Sequence, residues 1–264
     1  MTRDERIRYL IDALLEEMPE YREQASHIPQ VRCERRRLLR ALMNVRPPLP
    51  LHPKFLEVQD ALLSEEREAK GIVDAMSLSA VPSDMRLCLW QGDITRLNTD
   101  AIVNAANSAL LGCFVPCHGC IDNAIHSAAG LQLRDECHKL MMEQGPEEPT
   151  GKAKITGAYN LSCHYVLHTV GPIVSRTFQK RHREELASCY RSCLTLAAER
   201  GLRSVALCCI STGEFHFPND EAAEIAVNTV RDFLITPSSI ERVVFNVFKD
   251  IDFEIYRELL GVSK

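Results

Sequence analysis

Three cysteines and a histidine, Cys113, Cys117, His118 and Cys120, crowd into eight positions, and a carboxylate follows at Asp122. Thiol and imidazole side chains are donors for a soft metal ion. A carboxylate beside them can take or give a proton. The chain has 11 cysteines in 264 residues. That odd count, in a long chain whose opening MTRDERIRYL lacks the apolar core of a signal peptide, argues against a disulfide framework. Most of the thiols read as small buried hydrophobes. Cys208 and Cys209, inside an apolar run, fit that description; the cluster at 113–120 does not.

Four further stretches carry small or polar residues just after apolar runs. They are Gln91-Gly92-Asp93-Ile94-Thr95, then Asn104-Ala105-Ala106-Asn107-Ser108, the stretch 113–123, and Ser211-Thr212-Gly213-Glu214-Phe215-His216-Phe217-Pro218. Small residues let a backbone come close to a ligand, and helix N-termini present free N–H groups to phosphate oxygens. Together the four could cradle a diphosphate without a cluster of Lys or Arg. Taken singly each also reads as an ordinary turn: Asp93 and Asn107 are turn-forming residues, and 211–213 is a plain loop composition.

The elements that must position these stretches follow from periodicity. From residue 85 on, short apolar runs alternate with amphipathic ones. Strands are expected at 86–90, 101–105, 154–159, 165–169, 204–210 and 242–248. Helices are expected at 122–130, 131–144, 184–200, 220–234 and 252–260. That alternation predicts a largely parallel sheet covered on both faces, with ligands beyond the carboxyl ends of its strands. The first 80 residues differ. Ile7, Leu10, Ile11, Leu14, Leu15 and Met18 form one helical stripe, and helices are expected again at 35–44 and 54–70, the former stopped by Pro47, Pro48 and Pro50. This helical extension carries no chemical motif. Residues 77–84 read as a linker to the domain that follows, at 85–264.

At this point the motifs become recognisable as a set. QGDITRLNTDAIVNAANS resembles the opening of macrodomains, the ADP-ribose-binding family, and IDNAIHSAAG resembles their second signature. STGEFHFPNDEAA resembles the family's phosphate loop, and VFNVFKDIDFEIY its closing strand and helix. The resemblance spans about residues 85–262 in the family's order. It implies a three-layer α/β/α fold with a mixed, largely parallel sheet, here with the N-terminal helical extension added. Where most macrodomains have a glycine-rich stretch, this chain reads GCFVPCHGCIDNAIH. That resembles the zinc-dependent branch of the family, whose metal ligands match Cys113, His118 and Cys120. Three protein ligands leave zinc an open fourth position, as a catalytic metal needs. Cys117 could instead close the site as a structural zinc, and a metal-free cluster is the remaining alternative.

The resemblance also implies roles. Asp93 accepts a hydrogen bond from the adenine amino group, and Ile94 flanks the base. Asn107 contacts the distal ribose. Asp122 orients or activates water. Ser211, Thr212, Gly213, Glu214 and Phe215 line the diphosphate and distal ribose. His216 departs from the family's usual glycine, and Asn246 and Phe248 border the adenosine end, although a phenylalanine there is more often core. The expected activity is zinc-dependent hydrolysis that frees mono-ADP-ribose from a modified protein at the distal ribose C1, with Asn107 and Asp122 as catalytic residues. Zinc would orient the sugar, act as a Lewis acid, or lower the pKa of a bound water towards about 7. The rival expectations are a module that binds ADP-ribose without cleaving it, and a hydrolase of small ADP-ribose esters. The net charge of -5 leaves no electrostatic footprint for nucleic acid. With no run of about 18 apolar residues, no membrane span is expected, and the chain is expected in the cytoplasm.

Overall fold

The buried face of the first helix is the apolar stripe read from the sequence. Ile7, Leu10, Ile11 and Leu14 point inward from α1 (Arg3–Glu17). Thr2 caps it: its hydroxyl accepts from the Glu5 N–H while the Glu5 carboxylate accepts from the Thr2 N–H. The computed structural model describes residues 1–23, 25 and 31–263, and none of the site residues singled out above lies outside them. Helices α2 (Arg32–Val45) and α3 (Pro53–Lys70) follow. Pro53 sits in the first turn of α3, where the missing N–H costs nothing. The three helices share one apolar cluster of Leu10, Leu39, Phe55 and Leu62 with their neighbours, and Leu131 from the following domain joins it. Leu62 is 1% exposed. Leu62→Ala is therefore expected to cost about 2–5 kcal/mol in urea unfolding; a loss below about 1 kcal/mol would mean that these helices pack loosely.

The sheet elements are β1 (Val73–Asp74), β2 (Ala80–Val81), β3 (Asp84–Gln91), β4 (Leu97–Asn98), β5 (Ala101–Ala106), β6 (Ala153–Gly157), β7 (Tyr165–Val170), β8 (Ser204–Leu207) and β9 (Arg242–Val247). The helices between and after them are α4 (Ile121–Ala129), α5 (Leu131–Gln144), α6 (Lys180–Glu199), α7 (Asn219–Ile235) and α8 (Asp250–Leu260). Seven strands form the main sheet in the order β2-β3-β9-β8-β5-β7-β6. The inner five are parallel, and the two edges, β2 and β6, run antiparallel. Helices cover both faces, which makes the expected three layers. Every residue of β8 is buried, as a strand covered on both sides requires.

Two local readings change. Residues 77–84 are more than a linker, because Ala80 and Val81 pair with Cys88 and Asp84 as the sheet's edge strand. A two-residue strand has no alternation for a sequence pattern to show. The strand expected at 204–210 leaves the ladder at Leu207; Cys208 and Ile210 stay buried and read as strand on apolarity alone. Among the described residues, no helix is long and apolar enough to cross a membrane. Because β3, β9, β8 and β5 are adjacent and parallel, their carboxyl ends lie along one rim. The loops after β3, β5 and β8 are those picked out in the sequence.

Candidate metal centre and nucleotide pocket

The loop from β5 to α4 brings three donors together. The ligand atoms of Cys113, His118 and Cys120 all lie within 4.8 Å of one another. Cys113 Sγ is 3.6 Å from His118 Nδ1. Tetrahedral zinc, at about 2.3 Å from sulfur and 2.0 Å from nitrogen, sets its donors roughly 3.5–3.8 Å apart. Donor types and spacing therefore fit zinc. The other imidazole nitrogen, Nε2, is 3.5 Å from Glu214 Oε1, the carboxylate arrangement that commonly steadies a metal-bound histidine. Cys120 is also the N-cap of α4, its sulfur accepting from the Asn123 N–H at 3.4 Å. Burial pushes its thiol up to about 12, and the neighbouring Cys113 and Asp122 add to the rise. A cation among these groups is what would let the sulfurs ionise together. Cys117 stands outside the cluster: its Sγ lies 3.3 Å from the Arg37 carbonyl oxygen on α2. The arrangement is thus three donors gathered together, with the fourth thiol of the loop turned towards α2.

Asp122, two residues into α4 from the cap, is 4% exposed. Asn104 Nδ2 donates to its Oδ1 at 2.8 Å, and Asn107 Nδ2 approaches its Oδ2 at 3.5 Å. Burial raises its pKa to about 6, against the Asn104 hydrogen bond and the charge of Arg134. One turn along, His126 Nε2 is 3.5 Å from Asp122 Oδ1 without making a hydrogen bond, and burial holds this imidazole well below its ordinary pKa. Asn107 is tied locally, donating to the Gly112 carbonyl at 3.1 Å and accepting from the Ala109 N–H at 3.1 Å. Gly112 has φ +79°, and a Cβ there would meet the His126 ring at 2.8 Å, so only glycine fits the turn.

A second group, His126, Cys137 and His168, also has donor atoms within 4.8 Å of one another. Both nitrogens of His168 are already engaged, Nδ1 by Asn104 at 3.2 Å and Nε2 by Thr156 at 2.9 Å. All three residues are buried. His168, engaged at both nitrogens, fixes Asn104 and through it Asp122, whereas neither ring nitrogen of His126 has a hydrogen-bond partner.

The remaining loops occupy the same rim. Asp93 opens a single 3-10 turn, its Oδ1 accepting from the Thr95 N–H at 3.0 Å and hydroxyl at 2.7 Å. Its Oδ2 accepts from Lys70 Nζ of α3 at 3.5 Å. Ile94 is 4% exposed and packs in the core. Ser211 has φ +66° and His216 φ +55°. The chain thus takes at His216 the left-handed conformation for which the family's glycine is suited. Phe217 N–H closes the loop on the Ser211 carbonyl at 3.0 Å, and Thr212 Oγ1 donates to the Cys209 carbonyl at 3.1 Å. The buried Ser211 hydroxyl has no partner within the protein, a polar atom suited to a bound anion. Gly213 and Glu214 are exposed, and Phe215 is half-buried. Asn246 is buried and donates to the Gly92 carbonyl at 3.0 Å, so it shapes the Asp93 loop. Phe248 is 75% exposed and is not core.

Sequence reasoning missed several contributors. Asn104 lies inside a quoted motif, so its role was within reach. Arg40 and Asn44, which contact the 113–123 stretch from α2, and His168 gave no signal, since their partners lie dozens of residues away. Also unseen was a cavity of about 140 Å³ beside Asp93, lined by Arg36, Arg40, Arg67, Lys70 and Arg96.

Comparison with known proteins agrees with this architecture. The Macro domain family model matches residues 103–226. A protein-ADP-ribose hydrolase of Treponema medium is 51% identical over 263 residues, covering 99% of this chain and all of that protein. One from Staphylococcus aureus (strain COL) is 51% identical over 222 residues, 84% of this chain and 83% of that protein. The crystal structure of a Trypanosoma brucei macrodomain in complex with ADP-ribose superposes with a TM-score of 0.66 at 32% identity, covering 84% of this chain and 95% of that one. By fold, by motif order and by full-length similarity, this chain belongs to the macrodomain family.

Proposed function

We propose that this chain is a zinc-dependent hydrolase that removes mono-ADP-ribose from modified proteins by cleaving the bond at the distal ribose C1. The observation that carries the reading is the gathering of three zinc-type donors, with Cys117 turned away from them, two residues ahead of a buried carboxylate. Relatives named protein-ADP-ribose hydrolase, similar along 99% and 84% of the chain, support the substrate class.

Cys113, His118 and Cys120 would hold the metal, which when bound supplies a Lewis acid at the sugar. The chain's own residues do the rest. Asp93 Oδ2 receives the adenine amino group, and Thr95 holds that carboxylate in place. Ser211 and the loop ending at Phe217 take the diphosphate with a hydroxyl and main-chain groups in place of a cluster of cations. Asn107, fixed by Gly112, stands over the distal ribose. Asp122, steadied by Asn104, takes a proton from the attacking water as the water oxygen bonds to C1. The bond from C1 to the protein side chain breaks, and the leaving group takes up the proton that Asp122 removed from the water.

Asp93→Ala is expected to weaken free ADP-ribose about 10–100-fold in calorimetry, the worth of a hydrogen bond to a charged group. An unchanged Kd would remove Asp93 from base recognition. Turnover on a mono-ADP-ribosylated protein tests the reading as a whole. Tight binding of ADP-ribose with no product would make the chain a reader, and faster cleavage of small ADP-ribose esters than of the protein link would shift the substrate class.

A further inference from the structure

The metal loop holds one more thiol than the open site uses. Cys117 and Cys120 are separated by two residues, the gap common in closed structural zinc sites. With Cys113 and His118 they supply a complete set of four donors. The fold keeps the fourth away. Cys117 has φ +53°, a left-handed conformation uncommon for a residue with a side chain. Its N–H donates to Asn44 Oδ1 at 2.9 Å, and its Sγ turns towards the Arg37 carbonyl at 3.3 Å. Both partners belong to α2. Asn44 is 2% exposed and is itself fixed, its Nδ2 donating to Ser127 Oγ on α4 at 3.0 Å. One turn earlier on the same face of α2, Arg40 donates to the His118 carbonyl at 3.3 Å and to Asn123 Oδ1 at 2.6 Å. The grip therefore brackets the metal loop: Asn44 takes the residue before the ligating histidine, and Arg40 takes that histidine's own carbonyl.

We propose that Asn44 and Arg40 are positioning residues of the active site. In this role α2 holds Cys117 out of the metal's coordination sphere and so keeps the fourth position open for substrate. The inference rests on the zinc reading above. When the grip is released, Cys117 swings to the metal. Its thiol gives a proton to solvent, a sulfur–metal bond forms, and whatever held the open position leaves; no electrons change hands. The three-donor catalytic site becomes a closed four-donor one. The N-terminal helices thus set the coordination number, beyond supporting the domain.

The test uses the full chain loaded with cobalt in place of zinc, because the thiolate-to-cobalt absorption grows with the number of sulfurs bound. The wild type is expected to show two thiolates. Asn44→Ala should raise the band by about half as a third sulfur joins, while release of ADP-ribose falls about tenfold or more. Adding Cys117→Ser to that variant should return both the band and turnover to wild-type levels, and Cys117→Ser alone should change neither. Arg40→Ala, at a half-buried side chain, gives the same readouts if Asn44→Ala does not fold. An unchanged band in both α2 variants, or lost turnover that Cys117→Ser does not restore, overturns the proposal. A wild-type chain that takes up no cobalt removes the metal itself, a failure visible before any variant is made.

Discussion

Cys120→Ala is expected to abolish metal retention and to lower release of ADP-ribose from a modified protein by about 10³-fold, matching the several kcal/mol that a Lewis acid contributes. The reason is the donor set. Cys113, His118 and Cys120 are the three ligand atoms gathered at one point, and two of them do not make a stable zinc site. Cys120 has a second duty as the N-cap of α4, accepting from Asn123, so alanine is also expected to cost about 0.5–2 kcal/mol of stability. Cys120→Ser separates the two. Its oxygen can still cap the helix but is a poor soft donor, so stability should recover while turnover does not. Free ADP-ribose, which the proposed reading has gripped chiefly at Asp93 and the 211–217 loop, should bind either variant within about threefold of wild type. Activity near the wild-type level in metal-free Cys120→Ala would take zinc out of the reaction.

Asp122→Asn is the second large effect. The carboxylate is buried and held by Asn104 at 2.8 Å, and in the proposed reaction it takes the proton of the attacking water. Losing a general base costs about 10²–10⁴ in kcat, and KM should move little, because the amide keeps the shape and its oxygen can still accept from Asn104. Metal content should be unchanged, since Asp122 is not among the gathered ligands. Replacing a buried charge with a neutral group should leave Tm the same or higher. A fall in zinc content that tracks the fall in kcat would make Asp122 a metal-site residue instead of a base.

The two kinds of residue behind these effects were not equally visible in the sequence. Cys113, His118, Cys120 and Asp122 are close neighbours in the chain, and a loop leading into a helix keeps them close in space; their spacing shows a donor cluster, while the choice of three ligands over Cys117 comes from the family resemblance. The parallel sheet was visible for a similar reason, because β5, β8 and β9 are apolar runs long enough to stand out. What escaped depends on contacts between distant segments. Arg40 meets Asn123 across 83 positions and Asn104 meets His168 across 64, distances at which periodicity carries no information. Ala80 and Val81 join the sheet through pairing geometry, not through any pattern of their own. The His216 question turned on backbone conformation: a residue other than glycine can adopt φ +55° when the loop on either side is tied, as it is here by Phe217 to Ser211. Phe248 is expected at the adenosine end with the core as the alternative; it follows β9 directly and is 75% exposed, which removes the core alternative.

The most direct test pairs elemental analysis with turnover on one preparation of the full chain, assayed against mono-ADP-ribosylated protein. The expected result is about one zinc per chain, loss of ADP-ribose release when a chelator strips it, and recovery on adding zinc back. Undiminished release from protein shown to contain no metal would contradict the account.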